Sequence, residues 1–186
     1  MNSVPTSPRL VPDLSLPPYA YVPGRFPHPI SDPAGHQFGA RPPIPAPLDP
    51  HTWWSNRDYL WGFDLFNHSY YWESHETWEG LWHAAGRKGT MADFLKGLIK
   101  LAAAGVKNLE GTAEGVRSHA CRAADLWREV ARSLGMGQDL YFGLRISDLI
   151  EAADGVCLKG WPEEPPILLL TFPQKQRKGN HDLPKG

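Results

Sequence analysis

The sequence lacks the features that mark membrane proteins and nucleic-acid-binding proteins. It has no apolar run of about 20 residues that would span a bilayer, and its start, MNSVPTSPRL, has no charged region followed by an apolar one. Its 19 basic residues are balanced by 20 acidic residues, which leaves no positive field for a phosphate backbone. We therefore expect neither a nucleic acid nor a membrane among the partners.

Cysteine is scarce, and the familiar cofactor motifs do not occur. The two cysteines, Cys121 and Cys157, are not in a C-x-x-C spacing, which predicts neither a disulfide framework nor a zinc knuckle and fits a reducing compartment. The sequence also has no glycine-rich phosphate loop, serine nucleophile elbow or dinucleotide fingerprint. These features predict a cytoplasmic protein with no identified cofactor, although a divalent metal is left open below.

Proline is abundant at the beginning of the chain. Of the 19 prolines, 14 lie in residues 1–50, and each of them removes a backbone donor and fixes φ, which prevents regular helix or interior strand. The same segment carries more aromatic rings than a disordered spacer usually has: Tyr19, Tyr21, Phe26 and Phe38. We therefore predict an extended proline-rich arm over residues 1–50, with residues 16–40 docked on the rest of the protein.

From Asn56 onward, apolar residues recur at helical spacing. The pattern predicts four main helices and a short fifth, of which the third opens with a capping box at Thr90 and Asp93 and the fourth is capped by Thr112. The predicted spans are listed in order: from Asn56 to a turn at 67–69, about 70–84, 90–110, 112–134 and about 146–153. The short connections predict an antiparallel all-α helical bundle.

The bundle domain is expected over residues 51–172, followed by a disordered tail over residues 173–186. The apolar segment PILLLTF, residues 166–172, is expected to close the core as an extended segment. The tail is rich in Lys, Gly and Pro, which predicts fraying.

The segment FNHSYYWESHETWEGLW, residues 66–82, places polar groups among large aromatic rings. On a helical wheel at about 100° per residue, Tyr71, Trp78 and Trp82 point to the core and His75 falls within the same stripe. Glu73 points away, toward water. Because an unpaired charge in such a stripe costs several kcal/mol, the imidazole needs a partner.

Three roles for this polar cluster are left open. His75, Glu79 and His83 are spaced at i, i+4 and i+8, which can bind a metal, although the H-E-x-x-E pattern lacks the second histidine of zinc proteases. Glu76 or Glu79 could act as a general base with His75 orienting it or acting as an acid. The simplest role is structural, with His75 and Glu79 hydrogen-bonded inside the bundle.

Aromatic and arm residues are the other candidates for a binding site. Three tryptophans of the second predicted helix, Trp72, Trp78 and Trp82, are expected mainly in the core but could also line a flat pocket. If the arm crosses this helix, His28 or His36 could complete a site with the polar cluster of the same helix.

Residues 66–82, together with FLKGLIKLAAAGVK, residues 94–107, resemble domain of unknown function family 309, small helical proteins of bacteria and archaea. The hallmark of that family contains F-N, E-x-H-E and a second glutamate and tryptophan, and the resemblance covers about residues 59–134. It implies a helical bundle with no established activity. Ser69 stands where the family usually has glycine, which predicts a turn here without a strict need for positive φ.

Taken together, these patterns predict an uncharacterised helical-bundle protein that binds a small molecule or another protein through the aromatic groove and the arm. The alternative is a hydrolase or lyase that uses Glu76 or Glu79 with His75, with a metal as an optional participant. Whether the protein is an enzyme is left open at this stage.

Overall fold

The structure is a computed structural model that describes residues 8–40 and 43–173. It contains five α-helices, a short 3-10 turn at Trp53–Ser55 and a small antiparallel hairpin in which Leu140 pairs with Arg145. The elements are, in chain order, α1 Arg57–Asn67, α2 Tyr71–Ala84, α3 Thr90–Leu109, α4 Ala113–Leu134, β1 Leu140–Tyr141, β2 Leu144–Arg145 and α5 Ile146–Lys159. The predicted all-α class is therefore confirmed. The predicted tail lies, from residue 174, outside the described residues.

The helix ends differ in detail from the predicted ones. The first helix was predicted to begin at Asn56, which is instead the N-cap of α1: its side-chain oxygen accepts a hydrogen bond from the backbone N–H of Tyr59 at 2.9 Å. The capping box predicted for α3 is wrong: Thr90 is already the first helical residue, and Asp93 donates its backbone N–H to Gly89. The fifth helix is longer than predicted, since it continues to Lys159.

The helices pack in sequence order around a main core, and α3, α4 and α5 share a smaller second cluster of Ala104, Val116, Ala120 and Val156. α1 contacts α2, α3 lies between α2 and α4, and α5 packs against α4. Two fully buried tryptophans reach the backbone of a neighbouring helix at a glycine. The indole of Trp78 crosses α1 at Gly62, and the indole of Trp127 crosses α3 at Gly97. Glycine at these two positions is what allows such close packing, because any side chain would occupy the space of the ring.

The turn between α1 and α2 corrects one prediction. Ser69 has φ 66°, a left-handed conformation that favours glycine. The prediction that serine at this position removes the need for positive φ is therefore wrong. The turn is closed by backbone hydrogen bonds from Ser69 to Phe66 and from Tyr70 to Leu65, and these hold the serine in this conformation.

The two cysteines are joined, which their spacing did not predict. Cys121 of α4 and Cys157 of α5 form a disulfide with a Cα–Cα distance of 5.0 Å. The pair arises because α4 and α5 lie side by side, so residues 36 positions apart in the sequence come together. A cytoplasmic location stays a prediction, and a disulfide is atypical of that compartment. No helix of the described ranges is long and apolar enough to cross a membrane.

Reducing the Cys121–Cys157 bond is expected to lower the free energy of unfolding by about 2–4 kcal/mol, because the bond closes a loop of 36 residues in the unfolded chain. Urea denaturation with and without a phosphine reductant measures the difference. The double variant Cys121→Ser/Cys157→Ser is the control and should not respond to the reductant. Two alkylatable thiols in protein purified without reductant would contradict the pairing.

The arm is held on the bundle by backbone hydrogen bonds to a buried carboxylate. Asp64 of α1, 2% exposed, accepts from the backbone N–H of Leu10 at 2.7 Å and of Val11 at 2.8 Å. The side chains of Val11, Val22 and Leu48 are also buried. The backbone N–H groups of this extended segment thus donate to a helix side chain, where those of a strand would donate to a neighbouring strand.

The apolar segment near the C-terminus crosses the other end of α1. Leu168 is buried and exchanges two hydrogen bonds of 2.9 Å with the side-chain amide of Asn67. Thr171 donates its backbone N–H to Gly143 in the hairpin. The segment is extended, as predicted, and its alternate residues face the core and solvent.

Candidate ligand-binding cleft

Helix α2 is covered on two sides. One side packs in the core and includes Trp78 and Ser74. The hydroxyl of Ser74 donates a hydrogen bond to the backbone carbonyl of Gly62 at 2.9 Å. The opposite side faces the arm and carries Glu73, which is only 8% exposed. The prediction that Glu73 points to water is wrong, because a helical wheel treats one side as core and the other as solvent, whereas here the arm covers the second side.

Glu73 is the best-buried carboxyl of this side of α2. Its Oε1 accepts the backbone N–H of Tyr21 at 2.8 Å. Its Oε2 is buried and has no hydrogen-bond partner within the described part of the chain. Burial raises the pKa of the Glu73 carboxyl, and the hydrogen bond from Tyr21 offsets this only partly.

A cleft of about 430 Å³ lies beside Glu73, between the arm and the first two helices. Arm residues between positions 14 and 45 form one wall, and α1 with α2 form the other. The helices contribute Asp58, Trp61, Leu65, Trp72, Glu73, Glu76, Thr77 and Gly80. The volume lies in the range of ordinary small-molecule sites, which run from about 300 to 1,000 Å³.

The two arm histidines have different positions. His36 lines the cleft, packs edge-on against Tyr19 with 4.8 Å between ring centroids, and has an Nε2 that is buried without a partner among the described residues. Burial lowers the pKa of His36, which favours the neutral ring. His28 does not line the cleft: its Nδ1 accepts the backbone N–H groups of Ile30 and Ser31, both at 3.2 Å.

Of the predicted cluster on α2, only one member borders the cleft. Glu76 is exposed and lines the cleft, whereas His75 and Glu79 do not. Partial burial raises the pKa of Glu76, and the neighbouring Glu79 and Glu73 raise it further. Of the predicted site residues of the arm and of this cluster, His36 and Glu76 line the same cleft, and their joint site stays a prediction.

His75 and Glu79 form a second group that is nearer to α3. The Nε2 of His75 lies 3.8 Å from a carboxylate oxygen of Glu79, and burial lowers the pKa of His75. Three possible ligand atoms lie within 4.8 Å of one another, one each from His75, Glu76 and Glu79. This spacing is close enough for a shared cation. His83 is not in this group and packs instead on the ring of Trp82, with 5.1 Å between centroids.

The three tryptophans suggested for binding also have different surroundings. Trp72 lines the cleft and meets Tyr21 and His28 edge-on. Trp78 is fully buried in the core and does not line the cleft. Trp82 lies under the ammonium group of Lys96, 4.2 Å from the ring centroid. Of the three, only Trp72 is placed to contact a ligand in the cleft.

Sequence reasoning missed three cleft residues, Asp58, Trp61 and Glu73. The available signal was their spacing: Asp58 and Trp61 lie three positions apart in α1, and Glu73, Glu76 and Gly80 repeat at three and four in α2. Each set forms a polar or aromatic strip opposite the core. Gly80 also leaves room for Pro45 of the arm, which would lie 3.3 Å from an added Cβ.

The fold and the cleft together define a class: a small helical bundle whose polar helix face is covered by an extended arm. Residues 59–119, from within α1 to within α4, match the family model described as a domain of unknown function, DUF309. The predicted family is thereby confirmed over this segment. No curated protein matches the chain. The arm lies outside the family match, so the family model covers the helical wall of the cleft apart from Asp58 and none of the wall that the arm forms.

Proposed function

We propose that this protein is a small-molecule binding module and that its site is the cleft between the arm and α1–α2. One observation carries the proposal: Glu73 lines the cleft, and its Oε2 is buried and has no hydrogen-bond partner among the described residues. An unsatisfied buried polar group costs about 1–3 kcal/mol, more if it is charged. A ligand with a hydrogen-bond donor would remove that cost on binding.

The shape and lining of the cleft support a small molecule over a protein partner. The site is concave, and its walls combine proline, leucine and isoleucine side chains with two indoles and a few polar groups. Such a lining is typical of small-molecule sites, whereas protein interfaces are usually larger and flatter.

The proposal is tested by a fragment screen observed by ligand NMR on the wild type and on Gly80→Leu. Gly80 lines the cleft next to Pro45, so a leucine there fills the space a ligand would occupy. We expect fragments that bind the wild type with millimolar affinity or better to lose at least tenfold in affinity. Gly155→Leu is the matched control, because an added Cβ at this helical glycine meets no described atom within 4 Å. Equal fragment binding by wild type and Gly80→Leu would contradict the proposal.

A second candidate is a hydrolase or lyase in which Glu76 or Glu79 acts as a base with His75, or in which these three side chains instead hold a divalent metal. The observation that favours it is the convergence of these three side chains within 4.8 Å. One imidazole and two carboxylates are a donor set that zinc accepts, with water completing the coordination. Such a metal would polarise or activate that water.

The metal hypothesis is tested by elemental mass spectrometry on the purified protein and on His75→Ala. If the hypothesis holds, about one metal ion per chain is retained by the wild type and lost from the variant. His83→Ala is the control, because His83 lies outside the cluster and should retain the metal. Metal-free wild type that also fails to take up zinc on dialysis would contradict the hypothesis.

A further inference from the structure

We infer that the ligand of the cleft is an organic cation, an amine or guanidine attached to an apolar or aromatic body. The inference rests on the proposed function and adds the chemical class of the ligand. Three properties of the cleft carry it: the sign of its charges, the hydrogen-bonding character of its unpartnered carboxylate, and its indole rings.

The formal charges among the lining residues are all negative, and the cation that the chain places beside them, Arg9 over Trp61, is paired with Asp64. Asp58, Glu73 and Glu76 contribute carboxyl groups, and no lysine or arginine occurs among the described lining residues. The one basic side chain is His36, and burial favours its neutral form. Burial raises the pKa of Glu76, and the neighbouring carboxylates of Glu79 and Glu73 raise it further. A bound cation would relieve this repulsion, whereas a bound anion would add to it.

The unpartnered oxygen of Glu73 favours a ligand that donates a hydrogen bond. In its ionised form the Glu73 carboxylate accepts hydrogen bonds and cannot donate one, so a ligand carboxylate, phosphate or ketone cannot satisfy Oε2 of that form. An ammonium or guanidinium group supplies several donors and a charge of the matching sign. Hydrogen bonds of this charged kind are roughly twice as strong as neutral ones.

Two indoles, Trp61 and Trp72, provide surfaces for the body of such a ligand or for its charge. The guanidinium of Arg9 already lies over Trp61, 5.1 Å from its ring centroid, so among the described residues Trp72 is the lining indole without a cation over its ring. Apolar arm residues, including Pro17 and Ile30, line the opposite wall. The cleft therefore combines an acidic group with an apolar surface, which matches an amphiphilic cation.

The inference is tested with three probes that share one phenyl ring: phenethylamine, 2-phenylethanol and 3-phenylpropionate. Each is titrated into the full chain at low salt, and the dissociation constant is measured by protein-observed NMR. We expect phenethylamine to bind at least tenfold more tightly than 3-phenylpropionate, with the alcohol between them. The double variant Glu73→Gln/Glu76→Gln should lose at least tenfold in phenethylamine affinity.

A charge-matched control separates a local effect from a change in net charge. Glu114→Gln/Glu163→Gln removes two carboxylates that are exposed and outside the cleft, and it should bind phenethylamine as the wild type does.

The outcomes distinguish the ligand class from the existence of the site. Equal affinity for the three probes, abolished by Gly80→Leu, would overturn the cationic ligand and leave the proposed binding function in place. Preference for 3-phenylpropionate would do the same. No binding by any of the probes would also overturn the inference, and the fragment screen on Gly80→Leu would then decide the proposed function separately.

Discussion

Replacing Asp64 with alanine is expected to lower the free energy of unfolding by about 4 kcal/mol and to release the beginning of the arm. Asp64 is buried and accepts two backbone N–H groups, from Leu10 and Val11, and it lies 3.4 Å from the guanidinium of Arg9. Its removal leaves these donors without an acceptor, at a cost of about 1–3 kcal/mol for each buried donor. Because the arm forms one wall of the cleft, we also expect ligand affinity to fall.

Urea denaturation and limited proteolysis measure the two effects of Asp64→Ala. Asp64→Asn keeps one acceptor oxygen and should fall between the wild type and the alanine variant. Asp13→Ala is the control, since Asp13 joins the arm to Arg57 by an exposed ion pair of 2.6 Å, and exposed pairs contribute little. Unchanged cleavage of the arm in Asp64→Ala, with a stability loss below about 1 kcal/mol, would show that Asp64 does not hold the arm.

Gly62→Ala is expected to destabilise the protein by more than about 3 kcal/mol, the upper end of ordinary overpacking. A methyl group at this position of α1 would lie 2.1 Å from Nε1 of Trp78, which is fully buried and cannot turn away without opening the core. The helices α1 and α2 would have to separate. Because both helices line the cleft, such a separation would also change the site.

The matched control for Gly62→Ala is the same substitution in another helix. Gly155 lies in α5, and an added Cβ there meets no described atom within 4 Å. Gly155→Ala should therefore stabilise the protein by about 0.5–1 kcal/mol, because alanine costs less backbone entropy in a helix. Chemical denaturation of both variants gives the difference. A loss from Gly62→Ala no larger than about 1 kcal/mol would mean that the core accommodates the methyl group.

The order and approximate spans of the helices were predictable, because apolar periodicity and short loops are local signals. Most of the predicted stripe of α3, from Phe94 to Val106, is indeed buried. The length of α5 was missed because its second half packs through Ala153 and Val156, small residues that give a weak periodic signal. Local patterns therefore gave the bundle but not the full extent of its last helix.

The candidate site was predictable only in part, because its second wall is distant in sequence. Tyr21 reaches Glu73 across 52 positions, and no local rule links a helix face to a proline-rich segment. The docked arm converts a carboxylate that would face solvent into a buried one. The sequence did contain a related signal at Asp64, an acid inside the apolar run FDLF, since a charge in such a position needs a dedicated partner.

The conformation of Ser69 and the pairing of the two cysteines also could not be predicted from local sequence patterns. The conformation of Ser69 depends on the angle at which α1 meets α2. Serine here adopts a left-handed conformation that glycine would adopt without strain. The pairing of Cys121 with Cys157 depends on the contact between α4 and α5. Neither relation is encoded in the spacing of the residues themselves.

The measurement that tests the account most directly is a two-dimensional ¹H–¹⁵N NMR titration with phenethylamine. The cleft predicts the largest shifts for the backbone N–H of Tyr21, which donates to Glu73, and for the indole N–H groups of Trp61 and Trp72. The indole N–H of Trp127, which donates to Phe94 in the core, should not move. Shifts confined to residues around Lys96 and Trp82, or no shifts at saturating probe, would contradict the cleft as the binding site.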